Sequence, residues 1–294
     1  MTSGFASFTE RPCGVAHAKK AVSCSRGSIS TTISVVKSLP VRVSLWLIFF
    51  VCFAIPPLPP LAGAQGREIP FAPGERLTFQ VRWAFIRAGE GTLEIHPMTR
   101  VNGSRSYHFS FTARTSELAD LFYKVRDRID AYTDEAMTRS LLYTKRRDGK
   151  RNRRVAVDFD WQANKARYTD IGEKRKPIDV LPGSFDPLSV FYAFRLFELH
   201  EGLELQLPVT DGKKCVTGKA TVIRRETVQV RGTLYDTFLV EPDLEHLGGV
   251  FEKKMDSKLK IWVTADGSST PVRIESEVIV GSFVAELVSR EPAP

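Results

Sequence analysis

The chain has 294 residues, 42 Lys and Arg against 34 Asp and Glu, a formal net charge of +8 at pH 7, and four cysteines. Residues 1–64 hold six of the basic residues and one of the acidic ones, so residues 65–294 carry only +3 and a general nucleic-acid-binding function loses its main support. Cys215 is the one cysteine after residue 64, which excludes an intrachain disulfide there and leaves no cysteine cluster for structural zinc.

The N-terminal 64 residues predict an export signal behind a leader. Residues 1–40 contain many Ser and Thr and no hydrophobic periodicity, so we expect a disordered leader or an over-long gene model. In residues 41–64, Arg42 precedes a 13-residue apolar run, Val43–Ile55, and the small residues Ala62-Gly63-Ala64 favour cleavage after Ala64. The sequence therefore predicts an exported protein whose signal peptide is 41–64.

Two alternatives to a cleaved signal remain open. An uncleaved signal would anchor the protein in the inner membrane, although the apolar run is shorter than the roughly 20 residues that span a bilayer. Lipid attachment at Cys52 is less favoured, because the residues before it, Phe49, Phe50 and Val51, are bulky where such processing needs small ones.

Residues 65–294 have the pattern of a single β domain. Apolar residues alternate with polar ones in runs such as Leu77–Trp83, the period of a sheet with one buried face. The dipeptides Asn102-Gly103, Asp148-Gly149, Asp211-Gly212 and Asp266-Gly267 favour tight antiparallel hairpins. The predicted strands are Leu77–Trp83, Gly91–His96, Tyr107–Thr112, Val125–Tyr132, Arg139–Thr144, Val155–Trp161, Lys165–Thr169, Leu203–Val209, Gly218–Val230, Thr233–Glu241, Leu259–Val263, Val272–Val280 and Phe283–Ser289.

One helix interrupts this series of strands. Asp186 is a good N-cap, Pro187 suits the first helical position, and Gly202 suits the stop, which predicts a helix over Pro187 to Leu199. Apolar side chains surround most of its circumference, so it must be buried on more than one side. The predicted fold is all-β, a curved antiparallel sheet or partly closed β-barrel with one inner or capping helix.

Four segments in this order resemble a known bacterial family. They are Phe71-Ala-Pro-Gly-Glu75, Ala88-Gly-Glu-Gly-Thr-Leu93, Phe185-Asp-Pro-Leu188 and Ile261-Trp-Val-Thr264. Together they are similar to the domain of unknown function 3108, and the resemblance covers residues 71–288. It implies an exported envelope protein of Gram-negative type, periplasmic, with a curved all-β fold, and it implies no activity or catalytic residue. A likeness of architecture alone links such a fold to periplasmic lipoprotein carriers.

Motifs for catalysis and metal binding are missing from the sequence. His96, His108, His200 and His246 occur singly, with no pair at helical spacing to hold a metal, and no GxSxG segment is present. Cys215 is expected to be a small half-buried strand residue. We therefore predict no enzyme, no cofactor and no metal site.

The helix provides the first candidate site. Phe191, Tyr192, Phe194 and Phe197 could line a cavity for an acyl chain, or could simply fill the barrel. The first alternative predicts a protein that binds a lipid or lipoprotein acyl chain and has unfilled volume beside Phe191 and Phe194. The second predicts an envelope scaffold with a filled core, and a hydrolase of envelope polymers would instead need converging carboxylates or a Ser/His pair in a cleft.

A basic hairpin provides the second candidate site, and a glycine-containing loop a third. The hairpin holds seven basic residues that could contact an anionic membrane, or could keep a sheet edge solvated: Lys145, Arg146, Arg147, Lys150, Arg151, Arg153 and Arg154. We predict no nucleic-acid partner, because export and the lack of aromatic residues in the run disfavour one. The loop Leu244 to Met255 could be a gate or a partner contact, or could pack on the core. The sequence does not predict an oligomeric state.

Overall fold

A computed structural model of the chain describes residues 69–122, 124–149, 152–243, 259–277 and 282–292. The predicted leader, the signal segment and the loop Leu244 to Met255 lie outside these residues. The described elements are β1 (Arg76–Trp83), β2 (Ile86–Val101), β3 (Ser104–Thr115), α1 (Glu117–Asp120), β4 (Val125–Asp134), β5 (Ser140–Gly149), β6 (Arg153–Asp160), β7 (Lys165–Asp170), β8 (Glu173–Lys174), β9 (Ile178–Asp179), α2 (Ser189–Phe194), β10 (Glu204–Thr210), β11 (Cys215–Val230), β12 (Thr233–Asp243), β13 (Leu259–Thr264), β14 (Pro271–Glu277) and β15 (Ser282–Glu291).

All described strands belong to one antiparallel sheet in which, apart from β9, each strand pairs with a strand adjacent to it in sequence or, for β1 and β15, with the other terminal strand. Its order runs from β10 to β15, then from β1 to β8, with β9 paired to β7. The first strand, β1, pairs along its whole length with the last, β15, so the two ends of the domain meet inside the sheet. The sheet curves but strand pairing does not close it, since β10 and β8 remain at its ends. The predicted all-β fold with a curved antiparallel sheet is confirmed.

The alternating runs place their apolar side chains on one face. Leu77 and Phe79 of β1, Ile95 of β2 and Val157 of β6 are all buried, while the residues between them are more exposed. These side chains form one large core cluster on the concave face of the sheet. Burial of this face supplies most of the driving force for folding, because apolar area removed from water is the dominant favourable contribution.

Three of the four predicted turn dipeptides lie in the turns that connect two paired strands. Asn102-Gly103 joins β2 to β3 with both residues at positive φ, and Gly212 and Gly267 take positive φ in the connections β10–β11 and β13–β14. The prediction for Asp148-Gly149 is wrong, because both residues lie inside β5, opposite Arg126 and Val125 of β4. The connection to β6 follows them, and its residues 150 and 151 lie outside the described part of the chain.

The segment between β9 and α2 connects β10, at one end of the sheet, to β5, which lies near the other end. Phe185 pairs with Val209 of β10 in a parallel bridge, and the Ser140 N–H at the start of β5 donates to the Ser184 carbonyl at 3.1 Å. Gly212 lies against Val157 of β6, where a Cβ atom would come within 2.7 Å of the valine side chain. The Sγ of Cys215 lies at the same place, 3.4 Å from the Ser184 hydroxyl. Loop contacts thus close the barrel where strand pairing does not.

The inner helix is shorter than predicted, Ser189–Phe194 instead of Pro187 to Leu199. Beyond Phe194, successive N–H groups bond three residues back, and this tighter winding ends the α-helix. Its start agrees with the sequence, since one carboxylate oxygen of buried Asp186 accepts from the N–H groups of Leu188 and Ser189, each at 2.9 Å. In the described residues no helix has the length and apolar character needed to cross a bilayer.

The meander divides its connections between two rims. We define the upper rim by the connections β1–β2, β3–β4, β5–β6 and β7–β8, and the lower rim by β2–β3, β4–β5, β6–β7, β11–β12 and β13–β14. Antiparallel pairing places each set at one end of the barrel. The starts of β13 and β15 and the ends of β12 and β14 also lie at the upper rim, because Trp83, the last residue of β1, pairs with Phe283.

Candidate ligand-binding site

The helix α2 lies against the concave face, where Tyr192 is fully buried. Its ring stacks on Phe109 with the centroids 4.0 Å apart and meets Phe71 edge-on at 5.5 Å. Burial raises the pKa of the Tyr192 hydroxyl. Tyr192 therefore fills the core and lines neither cavity described below. Phe197 is partly exposed beyond the helix and is likewise not part of their walls.

Two apolar cavities flank the helix. Cavity A, about 110 Å³, lies between α2 and strands β10 to β13, and its walls include Phe191, Phe194, Leu207 and Val240. Cavity B, about 190 Å³, lies between α2 and strands β1 to β3 and β13 to β15, and its walls include Phe79, Phe111, Phe191 and Ala285. The predicted site residues Phe191 and Phe194 are thus wall residues of unfilled volume.

Phe191 separates the two cavities. Together with Pro187 and Leu259 it belongs to the walls of both. Leu259 begins β13 at the upper rim, and Pro242 in cavity A and Phe283 in cavity B belong to strand ends at the same rim. Both cavities therefore have wall residues at the upper rim, and cavity A also has Arg195 and Ser269 in its wall toward the lower rim.

A row of charged side chains continues the wall of cavity B. Gly91 and Ala113 line that cavity, and across the sheet Ala113 is paired with Asp127, Asp127 with Arg147, and Arg147 with Arg153. Neighbouring strands are about 4.8 Å apart, so Arg147 lies about 10 Å from the cavity wall. Strand alternation directs these side chains to the concave face.

Ion pairs organise this charged row, which we define as Asp127, Lys145, Arg147, Arg153 and Asp170. The Nε of Arg147 donates to Asp127 at 3.1 Å, and the Nε of Arg153 donates to Asp170 at 3.0 Å. The second carboxylate oxygens of Asp127 and Asp170 are buried and accept no hydrogen bond from the described residues. Leaving such acceptors unpaired is costly, so the row has room for hydrogen-bond donors of a ligand.

The five described basic residues of the predicted hairpin are divided between two faces of the sheet and are not held at one tip. Lys145 is 8 % exposed and, like Arg147 and Arg153, belongs to the inner face. Arg146 and Arg154 are exposed on the outer face, where Arg146 pairs with Asp148 at 3.1 Å. Lys150 and Arg151 lie outside the described residues. The cause is the position of the turn: β5 runs on through Asp148-Gly149, so alternation divides the basic residues between two faces.

The sheet also brings together polar residues on the outer face that the sequence left scattered. His96 and His108 are cross-strand partners with rings stacked 4.3 Å apart, and possible ligand atoms of His96, His108 and Asp130 lie within 4.8 Å of one another. Both oxygens of Asp130 are already bound by Arg128, at 2.7 and 2.8 Å, and the positive guanidinium disfavours a cation there. Only strand register, which the sequence does not give, could have revealed this cluster.

We define the outer cluster as His96, His108 and Asp130. Hydrogen bonding sets the pKa of its carboxyl group. Burial raises the pKa of Asp130, but hydrogen bonds from His108 and Arg128 outweigh it and lower the pKa to about 2. His96 is hydrogen-bonded to the Ser110 hydroxyl at 2.8 Å, yet Ser110 is 2 % exposed on the face of a sheet and is not open to a polymeric substrate. This cluster therefore has the character of a structural network.

We expect acid to weaken the fold through His96. Burial, followed by the charge of His108, lowers the pKa of His96 below its usual 6.5. The unfolded chain then binds more protons than the folded one, so this residue's contribution to stability is present above pH 6.5 and is lost as pH falls toward the folded pKa. Urea unfolding at several pH values should show a shallower pH dependence for His96→Gln than for the wild type. The exposed His200→Gln is the control, and an unchanged slope in His96→Gln would refute the assignment.

The fold and the cavities define a curved, barrel-like all-β protein with an inner helix and an apolar interior. The chain belongs to the family described as "Protein of unknown function (DUF3108)", whose model matches residues 78–288. Among solved structures it is similar to a "Beta-barrel-like Protein of Domain of Unknown Function DUF1849" from Brucella abortus, with a TM-score of 0.48 and 10% identity over 76% of this chain and 99% of that one. No curated protein matches the chain.

Proposed function

We propose that the protein binds an amphipathic lipid, with an acyl chain in cavities A and B and a polar head at the charged row. The unfilled apolar volume on both sides of Phe191 is the observation that carries this proposal. A scaffold with a filled core would have no such volume. We further propose, on the basis of the predicted signal peptide at residues 41–64, that the protein acts in the periplasm.

The size of the cavities restricts the ligand. An apolar cavity of roughly 150 Å³ accommodates a ligand of benzene size, so each cavity takes one section of a chain and not a whole lipid. The two together, joined by rotation of Phe191, would take a single extended chain. This favours one acyl chain per protein, as in a fatty acid or lysophospholipid, or one chain of a lipoprotein.

In this proposal the charged row binds the polar end of the ligand. Arg147 and Arg153 supply guanidinium groups for a carboxylate or phosphate, while the unpaired oxygens of Asp127 and Asp170 accept from hydroxyl or amine groups. No catalytic step follows from these groups, and the expectation that the protein is not an enzyme stays a prediction.

A fluorescent fatty acid tests the proposal. We expect its emission to rise on saturable binding to the purified protein and to return when palmitate or a lysophospholipid displaces it. The methyl ester of the same fatty acid is expected to bind more weakly, because it cannot form an ion pair with Arg147 or Arg153. Absence of saturable binding by either probe would contradict the proposed function.

A further inference from the structure

Four members of the charged row follow one another in the order acid, base, base, acid. Asp127 of β4 is paired across the sheet with Arg147 of β5, and Arg147 with Arg153 of β6. Asp170 of β7 completes the series, because it accepts from the Nε of Arg153 at 3.0 Å. Asp127 is at the cavity end, since its partner on β3 is Ala113, a wall residue of cavity B. The row therefore leads away from the apolar interior with a carboxylate at each end and two guanidinium groups between them.

The two arginines in the middle have hydrogen-bonding capacity left for an anion. The Nε of each is used by its own carboxylate, Asp127 or Asp170. Within the described residues the terminal nitrogens of Arg147 donate no hydrogen bond, and Arg153 uses one of its two, which donates to the Tyr168 hydroxyl at 2.9 Å. Like charges directly opposite on neighbouring strands are destabilising. A phosphate group has enough oxygen atoms to accept from both guanidinium groups and relieve the repulsion.

Further cations beside the pair favour a head group of net negative charge. Arg175 and Lys213 lie over the ring of Tyr168, 5.2 and 4.9 Å from its centroid, and the hydroxyl of the same ring is bound by Arg153. Nearby acidic residues are matched by lysines in the same two turns: Glu173 by Lys174 and Asp211 by Lys214. An ammonium group on the ligand would add to this excess of positive charge, whereas hydroxyl groups would not.

Hydroxyl groups are also what the two ends of the row require. One carboxylate oxygen of Asp127 and one of Asp170 are buried and accept no hydrogen bond from the described part of the chain. The two side chains remain 15 % and 22 % exposed, so neither carboxyl group is sealed off from a ligand. Buried acceptors without a donor are rare because they cost free energy. A hydroxyl donor on each side of the phosphate would satisfy both.

We propose that the charged row binds the head of a single-chain phospholipid with a phosphoglycerol group, a lysophosphatidylglycerol. Outward from cavity B, the free hydroxyl of the acylated glycerol donates to Asp127, the phosphate accepts from Arg147 and Arg153, and a hydroxyl of the terminal glycerol donates to Asp170. The head-group assignment rests on the proposed function, since the acyl chain in cavities A and B is what brings the head to the row.

The distance between the cavity and the arginines distinguishes this ligand from a fatty acid. Strands about 4.8 Å apart place Arg147 about 10 Å and Arg153 about 14 Å from the cavity wall. The glycerol of a lysophospholipid spans part of this gap while the chain stays in the cavities. The carboxylate of a fatty acid follows its chain directly and reaches both arginines only by drawing the chain outward.

Displacement of the fluorescent fatty acid by ligands with the same palmitoyl chain tests the head group. Below the critical micelle concentrations, lysophosphatidylglycerol should displace the probe at a concentration at least about tenfold lower than lysophosphatidylcholine, which has no terminal hydroxyl. Lysophosphatidylethanolamine, with an ammonium group in that place, and palmitate, without a phosphate, should both bind more weakly than lysophosphatidylglycerol. Glycerophosphoglycerol, the same head without a chain, should bind only weakly by calorimetry, because the cavities supply most of the contact with the ligand.

Two arginine pairs on the same two strands supply a variant and its matched control. Arg147→Gln/Arg153→Gln removes the inner pair and should weaken lysophosphatidylglycerol binding at least about tenfold. Arg146→Gln/Arg154→Gln removes a cross-strand pair of the same charge on the outer face and should leave binding unchanged. The methyl ester of the fluorescent fatty acid, which has no charged end, should bind the inner variant as it binds the wild type, which also shows that this variant is folded.

Different results would contradict the head group and the acyl chain. Displacement by palmitate, together with equal affinities for lysophosphatidylglycerol and lysophosphatidylcholine or a higher affinity for lysophosphatidylethanolamine, would overturn the head group and leave the acyl chain standing. So would an outer-pair variant that weakens binding as much as the inner-pair variant does. Absence of saturable binding by every probe would contradict both, and binding of glycerophosphoglycerol as tight as that of lysophosphatidylglycerol would support the head group and contradict the acyl chain.

Discussion

Replacing Glu75 by glutamine is expected to lower the free energy of unfolding by about 3–5 kcal/mol, because it leaves the buried guanidinium of Arg195 without its counter-charge. Both residues are buried: Arg195 is 2 % exposed and Glu75 is 4 % exposed. Arg195 donates from both terminal nitrogens to the two carboxylate oxygens, at 2.5 and 3.1 Å, and its Nε donates to the Ser268 carbonyl at 3.1 Å. Urea denaturation monitored by tryptophan fluorescence measures the change.

The matched control for this variant is Glu94→Gln. Glu94 forms an ion pair of 2.9 Å with Arg76, but both side chains are partly exposed, so its loss should cost about 1 kcal/mol or less. An effect of Glu75→Gln as small as that of the control would contradict the role assigned to the buried pair. Since Arg195 directly follows α2, and Glu75 and Ser268 lie at the lower rim, the pair fixes the C-terminal end of the helix there, where Arg195 also belongs to the wall of cavity A.

Filling both cavities is expected to reduce fatty acid binding at least about tenfold, because a buried phenyl ring occupies the space that the acyl chain requires. Ala220 lines cavity A and Ala285 lines cavity B, so the variant is Ala220→Phe/Ala285→Phe. Titration with the fluorescent fatty acid measures the affinity, and urea unfolding checks that the variant is folded. Overpacking can cost about 1–3 kcal/mol, so some loss of stability is expected and does not count against the prediction.

The control for the cavity variant is Ala156→Phe. Ala156 lies on β6 between the buried residues Val155 and Val157, so its side chain is on the outer face of the sheet. The control carries one Ala→Phe replacement where the double variant carries two, and its added phenyl ring lies outside the cavities. If the folded double variant binds the fatty acid as the wild type does, the ligand is not in these cavities.

Local patterns predicted most of the fold. Alternation is a property of neighbouring residues, so runs such as Leu77–Trp83 and Val155–Trp161 identified strands and their buried face. The start of the helix at Asp186-Pro187 was also a local signal. The very short β8 and β9 were missed, because two residues carry no period, and α1 was missed because its four residues bury no apolar face.

The site depended on contacts that local patterns do not contain. Arg195 and Glu75 are 120 positions apart, and in the sequence Arg195 is one polar residue on an apolar helix. Phe191 and Phe194 were identified as wall residues, but Tyr192 and Phe197 were included with them because helix periodicity does not say which side meets a filled core. The division of the basic residues between two faces required the true position of the β5–β6 turn.

A photoreactive fatty acid with a diazirine at the end of its chain tests the central claim most directly. After binding, irradiation and mass-spectrometric peptide mapping, we predict adducts on cavity residues, foremost Phe191, Val240 and Ile274, which palmitate prevents. Loss of these adducts in Ala220→Phe/Ala285→Phe would strengthen the assignment. Adducts confined to exposed residues such as Phe85, or labelling that palmitate does not reduce, would contradict an acyl chain in the interior.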